Sequence, residues 1–229
     1  MLILGLTKTT LLDYPGHVAA TVFTGGCNFR CPYCHNGQMV LNPASMEKIS
    51  EEEVLAFLKK RKGILDGVCV TGGEPTIQSD LPEFIKKIKD LGYPVKLDTN
   101  GTHPGMIKEL IAAGLVDHIA MDIKNVFEKY EETSGCSATM IPSIKESIKI
   151  IEESGINYEF RTTVVKELHS PEDIAGITAL IKDPSRYFLQ SYEESDNVIE
   201  KRFSAYSAQE FEKILSLIDG PKPNLRGIE

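Results

Sequence analysis

The stretch Phe23–Asn36 reads FTGGCNFRCPYCHN and carries three of the chain's five cysteines, Cys27, Cys31 and Cys34, in a C-x3-C-x2-C spacing. An apolar run (Val18, Ala19, Ala20, Val22, Phe23) leads into it, and two glycines break the run just before the first thiol. The pattern predicts a buried strand that delivers the thiols on the loop at its end. Thiolates held close together repel one another and oxidise readily. The usual reason for keeping them is a thiophilic metal or cluster.

Spacing alone leaves two metals open. Structural zinc takes four ligands, often as two separated pairs, and no second pair is present; His35 adjoins Cys34 and would strain the geometry as a fourth ligand. A four-iron cluster on three thiolates leaves one iron open to a small molecule, which suits this spacing better. Cys69, in a predicted strand, and Cys136, in a loop, read as structural.

Working outward, helix and strand alternate. Ser50 and Glu53 form a capping box before a helix that Gly63 ends. Val68 to Thr71 is a short strand running into Gly72-Gly73-Glu74-Pro75. Asp80 and Glu83 bracket Pro82 at the start of a helix stopped by Gly92. Pro94 to Leu97 is a strand ending in Asp98-Thr99-Asn100-Gly101, followed by a helix around Met106 to Ala113. Val116 to Met121 is a strand running into Asp122-Ile123-Lys124, and Ser143 with Glu146 is expected to cap the helix after it. Tyr158 to Val165 is a strand containing Arg161, Ser170-Pro171 opens a helix to about Ile181, and Arg186 to Gln190 is strand-like. Ser207 with Glu210 caps a last helix through Ile218.

These six strand-then-helix units predict an α/β fold with parallel strands, an incomplete (β/α)6 TIM-like barrel. A single domain is expected over 1–229, with the segment 1–17 and an extended tail from 220 flanking the barrel. The unusual residues (GGC, GGEP, DTNG, DIK, LQSY) all fall at or just past the C-terminal ends of strands, where parallel-sheet enzymes place their chemistry.

Composition excludes other classes. With 33 acidic against 25 basic residues the net charge is −8, which argues against a nucleic-acid scaffold. Lys59 to Lys62 is a basic run, but it closes a predicted helix, where positive charge complements the dipole. No apolar run approaches the roughly 18 residues of a membrane span. Five cysteines, three of them clustered, do not form a disulfide framework, so a cytoplasmic location is expected.

The C-x3-C-x2-C spacing with Tyr33 before the last cysteine, followed by GGEP after the next strand, resembles the radical S-adenosylmethionine (radical SAM) superfamily. Asp13-Tyr14-Pro15-Gly16, Cys34-His35-Asn36, DTNG and DIK resemble, more narrowly, the glycyl-radical-enzyme activating enzymes. The start LTKTTLLDYPGHVAATVFTGGCNFRCPYCHN most resembles the anaerobic ribonucleoside-triphosphate reductase activating proteins, with pyruvate formate-lyase activating enzyme a close relative.

The resemblance implies a [4Fe–4S] cluster on Cys27, Cys31 and Cys34, with S-adenosylmethionine chelating the open iron. Reductive cleavage would yield a 5′-deoxyadenosyl radical that takes hydrogen from a glycine of a partner glycyl-radical enzyme. A flavodoxin- or ferredoxin-type donor would supply the electron. Cofactor contacts are implied for Tyr33, Gly72, Gly73, Glu74, Thr99, Asn100, Lys124 and Arg161. Asp98 and Asp122 would help hold a monovalent cation, while Asp13 and His35 would lie on the substrate side. Where the pyruvate formate-lyase type carries a histidine on the last strand, this chain has Gln190, which can still donate and accept hydrogen bonds. The alternatives within the superfamily are a pyruvate formate-lyase-type activating enzyme and a radical SAM enzyme acting on a small metabolite, such as a deazapurine precursor.

Overall fold

A computed structural model describes residues 1–228. Eight strands form one sheet in strict sequence order: β1 (Ile3–Thr10), β2 (Ala19–Thr24), β3 (Gly67–Gly72), β4 (Val95–Thr99), β5 (His118–Asp122), β6 (Asn157–Val164), β7 (Tyr187–Ser191) and β8 (Asn224–Arg226). From β2 to β8 every neighbouring pair is parallel. Helices fill the crossovers: α1 (Gly37–Leu41) and α2 (Glu51–Lys60), then α3 (Leu81–Asp90), α4 (Pro104–Ala112), α5 (Tyr130–Ser134) with α6 (Ile141–Glu153), α7 (Pro171–Ala179) and α8 (Ala208–Ser216). The six expected strand–helix units are all present.

The sheet curls. Five strand-to-strand steps separate β2 from β7, about 24 Å on a flat sheet. Yet Asp13, bonded to Thr21 of β2, and Gln190 of β7 line the same pocket. β1 and β8 remain as the two edges, so the barrel is partial.

Local sequence accounts for the elements. The inner strands are short apolar runs because helices cover one face and the barrel interior the other; Val68, Cys69, Val70, Val95 and Leu97 are all fully buried. Ser50 with Glu53, Ser170 with Asp173 and Ser207 with Glu210 form reciprocal capping boxes at the starts of α2, α7 and α8.

Two expectations need correcting. Ser143 and Glu146 do not cap α6, which starts at Ile141 and carries Pro142 in its first turn. The preceding turn continues straight into the helix, so Ser143 already lies inside it. The segment 1–17 is more than a flank, because Ile3–Thr10 pairs antiparallel with β2 as a true strand. Its inward alternation is weak and its second half is largely exposed, so it lacks a strand's usual signature. Among the described residues no helix is long and apolar enough to cross a membrane.

Candidate active site

The C-terminal ends of the parallel strands surround a pocket of about 390 Å³. Every site residue singled out from the sequence lines it: Cys27, Cys31 and Cys34; Asp13, Tyr33 and His35; Gly72, Gly73 and Glu74; Asp98, Thr99 and Asn100; Asp122, Lys124, Arg161 and Gln190. β2 ends at Thr24, and Gly25-Gly26 turn the chain into the thiol loop as expected.

That loop is fastened to its neighbours by side-chain amides. Asn36 Nδ2 donates to the Gly72 carbonyl at 2.7 Å. Asn100 Nδ2 donates to Asn28 Oδ1 at 2.8 Å, and Asn28 Nδ2 donates to Thr102 Oγ1 at 2.8 Å. The cysteine loop is thus joined to the turns after β3 and β4.

Glu74, 1% exposed, locks those two turns together. Its carboxylate accepts from Thr76 N (3.0 Å) and Thr76 Oγ1 (2.5 Å), from Thr99 Oγ1 (2.7 Å) and from Asn100 N (2.6 Å). Burial pushes its carboxyl upward, and these four donors pull it back. The glycines beside it serve packing as well. A Cβ on Gly73 would stand 1.8 Å from the Gly26 carbonyl oxygen, and one on Gly72, at φ +113°, would stand 2.4 Å from Thr24 N. Besides the ligand approach expected of them, both glycines are required by their close packing on the end of β2 and the turn after it.

Deeper in the pocket lies a charged group. Arg161 donates from Nε to Asp122 Oδ1 at 3.0 Å and from Nη1 to Asp98 Oδ2 at 3.2 Å. Lys124 pairs with Asp122 Oδ2 at 3.1 Å, and the buried Lys96 pairs with Asp98 Oδ1. Burial alone would raise both carboxyls. Arg161 and its lysine partners overcome this, lowering Asp98 and holding Asp122 at about 2. The carboxylates do converge, as their places on neighbouring strand ends predict. They converge around an arginine and two lysines, which pair with them in the protein itself.

Other expected residues have clear local settings. Asp13 accepts from Thr21 Oγ1 at 2.5 Å, which turns it into the barrel from outside the sheet. His35 Nε2 lies 2.6 Å from the Glu193 carbonyl, on the solvent side of the loop. Tyr33 packs edge-on against His169 and Phe203, with centroids 6.4 Å away, and its buried hydroxyl has no hydrogen-bond partner in the protein.

The donor set fits a cluster and its chelating ligand. Burial raises the Cys27 thiol to about 11 and the Cys31 thiol to about 12, so these sulfurs need a positive metal centre to be held as thiolates. The three thiols share one pocket, a donor count that suits a cluster with one open iron better than a closed four-ligand zinc site. The orphaned Tyr33 hydroxyl fits a polar ligand beside it.

Several residues that matter were given no role from the sequence. Asn28 and Asn36 lie inside the quoted stretch, and their amides, between two glycine-rich turns, were the available signal. His169 is fully buried, with Nε2 2.7 Å from the Lys124 carbonyl, and so supports Lys124 from below. A histidine 45 residues away in sequence gave no sign of this.

Comparison with known proteins agrees with this geometry. Residues 21–181 match the family model of the radical SAM superfamily. A protein of Methanocaldococcus jannaschii named for glycyl-radical enzyme activation is 36% identical over 202 residues, covering 85% of this chain and 81% of the relative. The pyruvate formate-lyase-activating enzyme of Clostridium pasteurianum is 31% identical over 180 residues, covering 76% and 73%. Among solved structures, Streptococcus suis SuiB superposes with a TM-score of 0.62 at 15% identity, over 83% of this chain. This chain spans 42% of that one, and the likeness concerns the fold.

Proposed function

Because this chain belongs to the radical SAM superfamily, among the activating enzymes of glycyl-radical enzymes, we propose that its protein substrate is an anaerobic ribonucleoside-triphosphate reductase. When bound, a [4Fe–4S] cluster and S-adenosylmethionine supply one-electron cleavage of a sulfonium and the hydrogen abstraction that activates a glycine. The protein's part is to hold, to orient and to exclude water.

Cys27, Cys31 and Cys34 would hold the cluster. Main-chain groups of the Gly72–Gly73 turn would receive the ammonium of S-adenosylmethionine, since the Glu74 carboxylate is already engaged by four protein donors. Lys124 and Arg161 would meet its carboxylate and ribose hydroxyls, with Asp98 and Asp122 keeping both cations in place. Tyr33, Thr99, Asn100 and Gln190 would line the remaining walls. Asp13 and His35 would face the substrate, and the seam between β1 and β8 offers a lateral approach for a peptide loop.

The observation that carries this reading is the shared pocket, in which three thiols, a glycine turn and a compensated charge group meet at one rim. Gln190 favours the reductase over pyruvate formate-lyase, because a neutral amide stands where the latter's activator has an imidazole. The test is anaerobic reconstitution with iron, sulfide, reductant and S-adenosylmethionine, followed by incubation with candidate partners. A glycyl-radical doublet in the electron paramagnetic resonance (EPR) spectrum of the reductase is expected. A doublet only with pyruvate formate-lyase, or turnover of a small metabolite without any protein partner, would refute the assignment.

A further inference from the structure

Arg30 stands between the first two cysteines, and its guanidinium bonds the backbone of the loop that carries them. Arg161, Arg186, Arg202 and Arg226 each pair with a carboxylate, whereas Arg61 lies over the Phe57 ring. Arg30, among the described residues, has no carboxylate partner, although the chain holds 33 acidic residues. Its Nη1 instead donates to the carbonyl of Cys27 at 2.6 Å and to the carbonyl of Phe29 at 2.7 Å. Its backbone is fixed too, with Arg30 N donating to the Ser134 carbonyl at 2.8 Å. Gly135, at φ +64°, packs so closely that a Cβ there would stand 3.0 Å from the Arg30 carbonyl oxygen. A permanent positive charge is therefore tethered to the loop that carries the thiols, on an exposed side chain.

We infer that Arg30 tunes the iron–sulfur centre held by this loop, its guanidinium raising the reduction potential so that a one-electron donor can fill it. The inference rests on the cluster reading of the three thiols. One-electron reduction adds a negative charge to a centre that already carries three thiolates, and cluster potentials follow net charge, hydrogen bonding and solvent exposure. A fixed cation nearby lowers the cost of that added charge, an effect that solvent around the exposed Arg30 side chain reduces without abolishing. Lys124, Asp122 and Glu74 face the thiols from the pocket side and belong to the cofactor site. Arg30 is the cation of the thiol loop itself. Arginine suits the role because its charge does not titrate and its planar fork can bridge two carbonyls.

The test compares reconstituted wild type with R30Q and R30K in an anaerobic redox titration read by the EPR signal of the reduced cluster, with iron and sulfide counted in each. R30Q is expected to keep wild-type iron and sulfide but to titrate at a more negative potential. R30K is expected to stay near wild type. A wild-type midpoint in R30Q overturns the inference, as does a shift in R30K as large as that in R30Q, since loop geometry and not charge would then be responsible. Should R30Q fail to retain iron, R30K decides alone: a preserved midpoint supports the role of charge, and a displaced one overturns it. Failure of the cluster reading would show separately and first, as wild type without four irons per chain, and would remove this inference with it.

Discussion

The Asn36 side-chain amide donates to the Gly72 carbonyl at 2.7 Å, so the loop holding the thiols is tied directly to the glycine turn of the next strand. The two motifs lie 36 residues apart in sequence yet form one rigid edge of the pocket. The thiol loop and the glycine turn therefore cannot move independently.

Asn36→Ala removes that tie and leaves a carbonyl without its partner. A net hydrogen bond is worth about 1 kcal/mol, so S-adenosylmethionine affinity should fall roughly fivefold, with little loss of iron. Anaerobic binding titrations alongside iron analysis check both. Unchanged affinity would reduce Asn36 to a spectator.

Gly73→Ala should be far more damaging. The added Cβ would lie 1.8 Å from the Gly26 carbonyl oxygen, and backbone on both sides prevents a local adjustment. Overpacking of this kind costs about 1–3 kcal/mol or more. A fall in melting temperature of several degrees, with loss of cluster uptake, is the expected result.

Arg161→Gln strips the bridging cation from Asp98 and Asp122. Removing one partner of a buried ion-pair network costs about 3 kcal/mol, because the remaining charges stay desolvated. Urea denaturation should show most of that loss in R161Q. A D98N/R161Q double variant should recover part of it.

His118 provides a pH signature away from the thiols. Burial lowers its pKa to about 4, with Lys96 adding to the effect, and its Nε2 is buried without a partner. The folded state therefore favours the neutral ring. The stability from this source is complete above the unfolded value near 6.5 and is lost as pH falls from there towards 4. His118→Gln should flatten the pH dependence of urea stability in that window. An unchanged slope would place its origin elsewhere.

Much of this was legible in the sequence because the signals were local. Capping boxes at Ser50 and Ser207, glycine stops and short apolar runs locate the strand–helix units, and the thiol spacing locates the pocket. Contacts over long sequence distances were not legible. Nothing near Glu74 shows that Thr99 and Asn100 will saturate its carboxylate, and nothing near Asp98 shows that Arg161, 63 residues on, will pair with it. β1 was missed as a strand because half of it faces solvent and its alternation is blurred. Ser143 misled because a capping box needs a non-helical residue before it, and the chain is already helical at Ile141.

The most direct measurement is elemental and spectroscopic analysis of the anaerobically reconstituted chain, with the products formed from S-adenosylmethionine under reducing conditions. Four irons and four sulfides per chain are expected, with 5′-deoxyadenosine released by wild type and none by Cys27→Ala, Cys31→Ala or Cys34→Ala. One tetrahedral zinc per chain, with S-adenosylmethionine left intact, would contradict the account at its base.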